Sequence, residues 1–424
     1  MSETIGRREG VLHVEDRSCE AIADEYGTPL FVYSRAAIER AWRRFDDALG
    51  NHPHLIAYSV KANSNLAVLD TLARLGSGFD IVSGGELKRV LAAGGLPERI
   101  VFSGVGKSAD EMALALEAGI RCFNVESGAE LERLAGVARA HGTHAPVSFR
   151  INPDVDAGTH PYISTGLKEN KFGVGMADVA ALYRRAAALE SIDVHGIDCH
   201  IGSQLTDIDP YRDALARLLE TVDTLASEGI ALSHVDVGGG QGIRYRDEEP
   251  LDIEAWARCV IEAVGERGLE IVVEPGRAIV GQAGVMLTRV EYLKSNEERH
   301  FAIVDAAMND LIRPALYGAW QAIEPVTSPE PDVVPSAEHA GPRVYDVVGP
   351  ICESADFLGK ERELDIAEGE LLAVMSSGAY AAVMSSNYNT RPRAAELLVD
   401  GDEVHLVRAR EETEALFARE FLLP

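Results

Sequence analysis

Lys61 closes an apolar run, Leu55-Ile56-Ala57-Tyr58-Ser59-Val60, and no other lysine has that setting. Lys88, Lys107, Lys168, Lys171, Lys294 and Lys360 sit among polar or glycine neighbours. Lysine is scarce, seven against 33 arginines within a basic total of 40. An amine at a strand end is the group that forms a Schiff base with an aldehyde. Four more features stand in or just after similar apolar runs, near the expected strand ends: Asp80, His200, the bare-backbone turn Gly238-Gly239-Gly240, and Glu274-Pro275-Gly276-Arg277. Together these types meet the needs of pyridoxal phosphate. Its aldehyde needs a lysine, its pyridinium nitrogen an acid and its ring a flat cover. Its phosphate needs backbone N–H donors approached without a Cβ in the way.

Each feature alone has a plainer reading. Lys61 would be a lysine snorkelling from a strand end, and His200 a hydrogen-bonded core histidine. The glycine run would be a tight turn, and Glu274 with Arg277 a structural ion pair. Their shared position at run ends favours the chemical reading, because independent accidents would not fall on one rim. The runs themselves set that rim. They cover 55–60, 79–82, 100–103, 122–125, 147–151, 194–201, 235–237 and 271–273. Between several of them lie segments with apolar residues every three or four positions, such as 66–75, 86–93 and 109–118. Glycines punctuate the joins at Gly76, Gly94 and Gly119. Eight strand-then-helix units within about 250 residues predict a (β/α)8 barrel of the TIM type, whose active site gathers at the C-terminal ends of the strands. A doubly wound sheet would place GxGxxG after its first strand, whereas the glycine cluster here follows the seventh.

After about Val280 long helical periods fade, and runs such as 343–348, 371–375 and 404–407 read as strands. The expected division is a barrel over 36–282 and a β-rich domain built from 1–35 plus 283–424. Glu324 to Pro342, rich in proline, reads as a surface loop. The 68 acidic residues against 40 basic ones give a formal charge of 40 − 68 = −28, which would repel nucleic acid. No apolar run approaches the roughly 20 residues that span a bilayer, and Met1 to Gly10 lacks the apolar core of a secretory signal. The expected location is therefore the cytoplasm. The five cysteines are far apart and form no CxxC pair, so no metal site is expected from them. His52-Pro53-His54 reads as a solvated loop without ligand spacing.

Longer stretches carry a resemblance. Tyr58-Ser59-Val60-Lys61-Ala62-Asn63, Phe79-Asp80-Ile81-Val82-Ser83-Gly84-Gly85-Glu86-Leu87, His200-Ile201-Gly202-Ser203-Gln204, Gly238-Gly239-Gly240 and Glu274-Pro275-Gly276-Arg277 belong to it. So do Met308-Asn309-Asp310-Leu311-Ile312-Arg313-Pro314-Ala315-Leu316-Tyr317, Cys352-Glu353-Ser354 and Ser385-Ser386-Asn387-Tyr388-Asn389. The sequence closely resembles the diaminopimelate decarboxylases, fold type III enzymes that use pyridoxal 5'-phosphate. Sister decarboxylases of ornithine or arginine share the lysine, glycine and Glu-Pro-Gly-Arg elements. The Cys-Glu-Ser stretch with Arg313 and Tyr317 points to diaminopimelate.

The resemblance implies roles. Lys61 would hold the cofactor through its aldehyde, His200 would stack on the ring, and Glu274 would keep the ring nitrogen protonated, with Asp80 among the cofactor-binding residues. Ser203, Gly239, Gly276, Arg277 and Tyr380 would line the phosphate pocket. Arg277, Arg313 and Tyr317 would bind the distal carboxylate of meso-diaminopimelate, and Glu353 its distal ammonium. Tyr380 would touch both cofactor and substrate. Cys352 would protonate the carbanion left by decarboxylation. Cys352 and Glu353 would come from the second subunit of a homodimer. The residue types suit this, since a carboxylate asks for a guanidinium fork and an ammonium for an acid. Read alone, Arg313 is a surface cation, Glu353 a solvated acid and Cys352 a small hydrophobe. The rivals are a decarboxylase of another doubly charged amino acid, a racemase on the same barrel, and a cofactor-free binding relative.

Overall fold

The computed structural model describes residues 4–155, 171–328 and 341–424. The chain divides into two compact units: Glu39–Arg244 with Glu248–Ile279, and Met1–Ile38 with Tyr245–Asp247 and Val280–Pro424.

The first unit is a closed parallel barrel. Its strands are β1 (His54–Ser59), β2 (Gly78–Ile81), β3 (Ile100–Phe102), β4 (Cys122–Val125), β5 (Ala145–Asn152), β6 (Ile192–Asp198), β7 (His234–Asp236) and β8 (Glu270–Val273). Pairing of β4 with β5 and of β8 with β1 closes the ring, which excludes an open doubly wound sheet. The eight apolar runs became these eight strands. The structure ends β1 at Ser59 and places Lys61 in the 3-10 turn Val60–Ala62, and it ends β6 at Asp198, two residues before His200. Helices between the strands begin where side chains cap them. Ser83, Ser108 and Ser127 each accept from the backbone N–H three residues on. Gly119 closes the helix Ala109–Ala118 at φ 72°, a conformation that favours glycine.

Alternation along the strands sends every second residue inward. Leu55, Ala57, Val101, Cys122 and Val272 form a buried apolar cluster. One step further toward the C-terminal ends, the same alternation reaches Ser59, Asp80, Asn124, Arg150, Asp198, Asp236 and Glu274. All of these are buried and polar. Arg150, Asp198 and Asp236 are register neighbours across β5, β6 and β7. The barrel is thus apolar at one end and polar at the other, and the polar end is the one that carries the candidate site.

The second unit is β-rich, as expected. Its main sheet runs Phe357–Leu364, Arg343–Val348, His300–Val304, Gly284–Ser295, Leu30–Ser34, Ala395–Asp400, Glu403–Arg408. Leu30–Ser34, from the N-terminal segment, pairs antiparallel with Gly284–Ser295 and parallel with Ala395–Asp400. Leu12, Val14, Ile22, Leu30, Val32, Val285, Leu287, Leu397 and Val399 share one core, so the N-terminal segment is built into this unit.

Two sequence expectations are corrected. Ile323–Pro325 is a strand paired with Leu371–Val374, so the proline-rich stretch does not begin as a loop. Its residues 329–340 lie outside the described residues. The His52/His54 pair is half-buried: His52 Nε2 lies 3.0 Å from Leu269 O and His54 Nε2 lies 3.1 Å from Asp46 Oδ1. His54 opens β1, and its acid partner comes from the preceding helix, Arg35–Leu49, where sequence spacing did not point.

Candidate active site

Lys61 Nζ donates to Asp80 Oδ2 at 2.7 Å, and Asp80 is fully buried. Ser59 Oγ bridges Asp80 Oδ2 and the backbone oxygen of Glu274, each at 3.0 Å. The ends of β1, β2 and β8 are therefore tied together under the amine. Lys61 keeps more than a third of its side chain exposed, so the amine can meet an incoming molecule. Lys107, which the sequence left among the ordinary lysines, is the more deeply buried. Its Nζ is held by Gly104 O, Asn124 O and Glu130 Oε1 at 2.7–2.8 Å. Three acceptors saturate an ammonium, which makes Lys107 a structural tie between β3, β4 and the helix Gly128–Ala140.

Glu274, next after β8, is buried and receives Asn124 Nδ2 at 3.3 Å. Carboxylate oxygens of Asp198, Asp236 and Glu274 all lie within 4.8 Å of one another. Burial, joined by the charges of its acidic neighbours, pushes the Glu274 carboxyl well above its usual range, while Lys61 acts the other way. Burial pushes Asp198 in the same direction and raises Asp236 to about 7. Carboxyl groups this close and this dry share protons rather than all ionising. The three oxygens also have the spacing of a cation site. Neither Asp198 nor Asp236 was singled out from the sequence, and the signal was there: a lone acid inside an apolar strand run. Arg150, a lone cation inside the run 147–151, and Glu126, one residue past β4, were not singled out either; Arg150 Nη1 lies 3.4 Å from Glu126 Oε1, both buried.

The glycine turn is built into its surroundings rather than merely tight. Gly238 and Gly240 have φ of 68° and 99°. A Cβ on Gly239 would sit 2.0 Å from Glu274 O, and one on Gly240 would sit 2.3 Å from Gly202 O. Gly276 is tight but less so, with the Cβ atoms of Ser59 and Ala62 at 3.0 Å from where its own would be. Gly239 N–H donates to His200 Nδ1 at 3.2 Å. Burial and the nearby Arg150 and Lys61 charges hold His200 well below the usual imidazole range. The ring is therefore neutral, accepts at Nδ1 and carries its hydrogen on Nε2. Arg277 Nη2 donates to Ser203 Oγ at 3.0 Å, so these two pocket candidates touch. An amine beside an acid, a buried carboxyl, a neutral flat ring and a Cβ-free turn with a guanidinium suit pyridoxal phosphate.

The remaining candidates lie in the sheet unit. Arg313 and Tyr317 bound the one helix Arg313–Tyr317, and the Arg313 guanidinium lies 4.8 Å from the Tyr245 ring centre. Cys352 and Glu353 are exposed in one turn. Asp356 fixes that turn by accepting from Ile351 N at 2.6 Å and Met308 N at 2.7 Å. Asn389 Oδ1 accepts from Cys352 N at 3.1 Å, Tyr388 Oη donates to Glu353, and Ser386 N donates to Asn309 O at 2.8 Å. Three sequence motifs, around 308–310, 352–354 and 385–389, thus converge on one place. Tyr380 has φ of 54°, an unfavourable conformation for a bulky residue that a fold retains where the side chain's direction matters.

Comparison with known proteins agrees with this geometry. Residues 35–281 match the family described as pyridoxal-dependent decarboxylase, pyridoxal binding domain. The chain is 59% identical to the diaminopimelate decarboxylase of Pseudomonas aeruginosa, over 100% of both chains. It is 57% identical to that of Vibrio cholerae, over 99% of this chain and 98% of the relative. Among solved structures, diaminopimelate decarboxylase from Helicobacter pylori complexed with L-lysine superposes with a TM-score of 0.89 at 42% identity, covering 95% of this chain and 98% of that one. The M. jannaschii enzyme in co-complex with L-lysine gives 0.93 at 35% identity, over 100% and 98%. With the barrel, the strand-end lysine and the buried glutamate in place, the chain belongs to the diaminopimelate decarboxylase family.

Proposed function

We propose that this chain decarboxylates meso-2,6-diaminopimelate to L-lysine and carbon dioxide with pyridoxal 5'-phosphate as cofactor, the last step of lysine biosynthesis by the diaminopimelate route. The observation that carries the reading is the Lys61–Asp80 pair at the rim of a barrel whose polar end also holds the buried Glu274. When bound, the cofactor supplies a sink for the electron pair left as CO2 departs.

The chain's own residues supply the rest. Lys61 anchors the cofactor, and Asp80 keeps its amine aimed from a buried position. Glu274 holds a proton at the ring nitrogen, with Asp236 and Asp198 behind it as proton-sharing neighbours. His200, neutral and hydrogen-bonded by Gly239, covers the ring without adding a charge. Ser203, Gly239, Gly276, Arg277 and Tyr380 receive the phosphate. Arg277, Arg313 and Tyr317 take the distal carboxylate and Glu353 the distal ammonium. Cys352 delivers the proton that replaces the lost carboxylate. Cys352 and Glu353 serve the site of the second subunit in a homodimer, and the enzyme works in the cytoplasm. No helix among the described residues is long and apolar enough to cross a membrane.

Incubation with meso-, LL- and DD-diaminopimelate tests the reading. The expected result is CO2 and L-lysine from the meso isomer and no turnover of the other two. Equal turnover of all three, or of lysine or ornithine in their place, would overturn it.

A further inference from the structure

The segment Asn387-Tyr388-Asn389 is given no task by the proposed function, yet it grips the turn that carries Cys352 and Glu353. Tyr388 Oη donates to Glu353 Oε1, and Asn389 Oδ1 accepts from Cys352 N at 3.1 Å. The segment is itself anchored. Asn387 Nδ2 donates to Glu411 Oε2 at 2.7 Å and to Arg391 O at 3.0 Å. Asn389 and Thr390 stand at φ of 55° and 57°. Consecutive non-glycine residues in that region cost energy and need local contacts to hold them. The strained pair is the one whose first member reaches Cys352.

The chemistry of the Tyr388 contact is particular. Glu353 lies in an exposed turn, where an unheld side chain would sample several rotamers. A lysine or arginine partner would hold it but would also neutralise it. A phenol holds it and leaves the full negative charge. Only Oε1 is engaged, and Oε2 has no protein partner among the described residues. A carboxylate fixed by a neutral donor with one oxygen open is built to receive a cation.

We infer that Tyr388 is a positioning residue: by hydrogen-bonding one oxygen of Glu353 it aims the other at the distal ammonium of the substrate, and so sets selectivity for substrates with two amino groups. The inference rests on the proposed role of Glu353.

The test compares kcat/KM for meso-diaminopimelate with that for 2-aminopimelate, which lacks the distal amino group. The holoenzyme is used as wild type, Tyr388→Phe, Glu353→Gln and the double variant. For Tyr388→Phe the ratio of the two kcat/KM values is expected to fall about 3- to 10-fold, the weight of one hydrogen bond to a partly exposed charge. The loss should come through KM for the diamine, with the melting temperature and the rate on 2-aminopimelate unchanged. The double variant should be no less selective than Glu353→Gln alone. A fall in Glu353→Gln but not in Tyr388→Phe would refute the positioning role and leave the role of Glu353 standing. No fall in Glu353→Gln would refute both. Equal losses on both substrates with a lower melting temperature would make Tyr388 structural and overturn the inference.

Discussion

Gly239→Ala is the sharpest single perturbation of the cofactor cradle. A methyl group there would lie 2.0 Å from Glu274 O, and Cβ contacts under 3.0 Å are essentially not observed, so 3.0 − 2.0 = 1.0 Å of movement is forced. Both sides of the clash are backbone, which cannot swing away as a side chain can. Gly239 N is tied to His200 Nδ1, Gly239 O accepts from Tyr211 Oη at 2.9 Å, and Glu274 N donates to Gly238 O at 2.9 Å. Moving the turn by that distance loses two or three of these bonds, about 1 kcal/mol each, so destabilisation of about 2–3 kcal/mol is expected. The displaced groups include the ring cover and the backbone of Glu274, and an ångström of misplacement costs about 100-fold in rate. Titration of cofactor into the cofactor-free protein, with thermal unfolding of the same sample, reads both effects. Gly136→Ala is the control. Gly136 lies mid-helix with nothing within 4 Å of a new Cβ, and alanine there should stabilise by about 0.5–1 kcal/mol. Wild-type cofactor affinity and turnover in Gly239→Ala would refute the reasoning.

Glu274→Gln should lower kcat by about 100-fold or more while weakening cofactor binding far less, because an amide cannot hold a ring nitrogen protonated but leaves the phosphate contacts intact; an unchanged kcat would make Glu274 structural. Asp236 predicts a pH effect in the cofactor-free protein. Burial raises it from 3.8 to about 7, so its contribution to stability is full below about pH 3.8 and is lost as the pH rises to about 7. Asp236→Asn, which mimics the protonated acid, should gain on wild type in thermal unfolding across that window, and parallel curves would contradict the assignment. For the shared site, Lys61→Ala and Cys352→Ala proteins, each nearly inactive, should recover about a quarter of wild-type activity after subunit exchange, since half the dimers are mixed and each holds one intact site. No recovery despite demonstrated exchange would place both residues in one chain's site.

The barrel was legible because each strand is a short apolar run ended by glycine or a capping residue, and the runs came in a countable series. Lys61 was legible because it alone among the lysines ends such a run. The polar layer beneath it was not. Asp198 and Asp236 look like interruptions of apolar strands, and only closure of the ring sets them beside Glu274. Lys107 passed as one more lysine among polar and glycine neighbours because its acceptors are two backbone oxygens and an acid 23 residues on, none visible as a pattern. His54 looked like a loop residue because a proline precedes it, yet it opens β1. The grip of Tyr388 on Glu353 joins residues 35 apart. No periodicity reports such a contact, which is why the motif could be recognised but its task could not.

Chemical trapping of the cofactor tests the central claim, that the amine at the barrel rim is its anchor, most directly. The purified holoenzyme is reduced with borohydride, digested and mapped by mass spectrometry. The account predicts a pyridoxyl group on Lys61 alone, and none in the Lys61→Ala protein. A pyridoxyl group on Lys107 or any other lysine of the wild-type chain, with Lys61 unmodified, would contradict it.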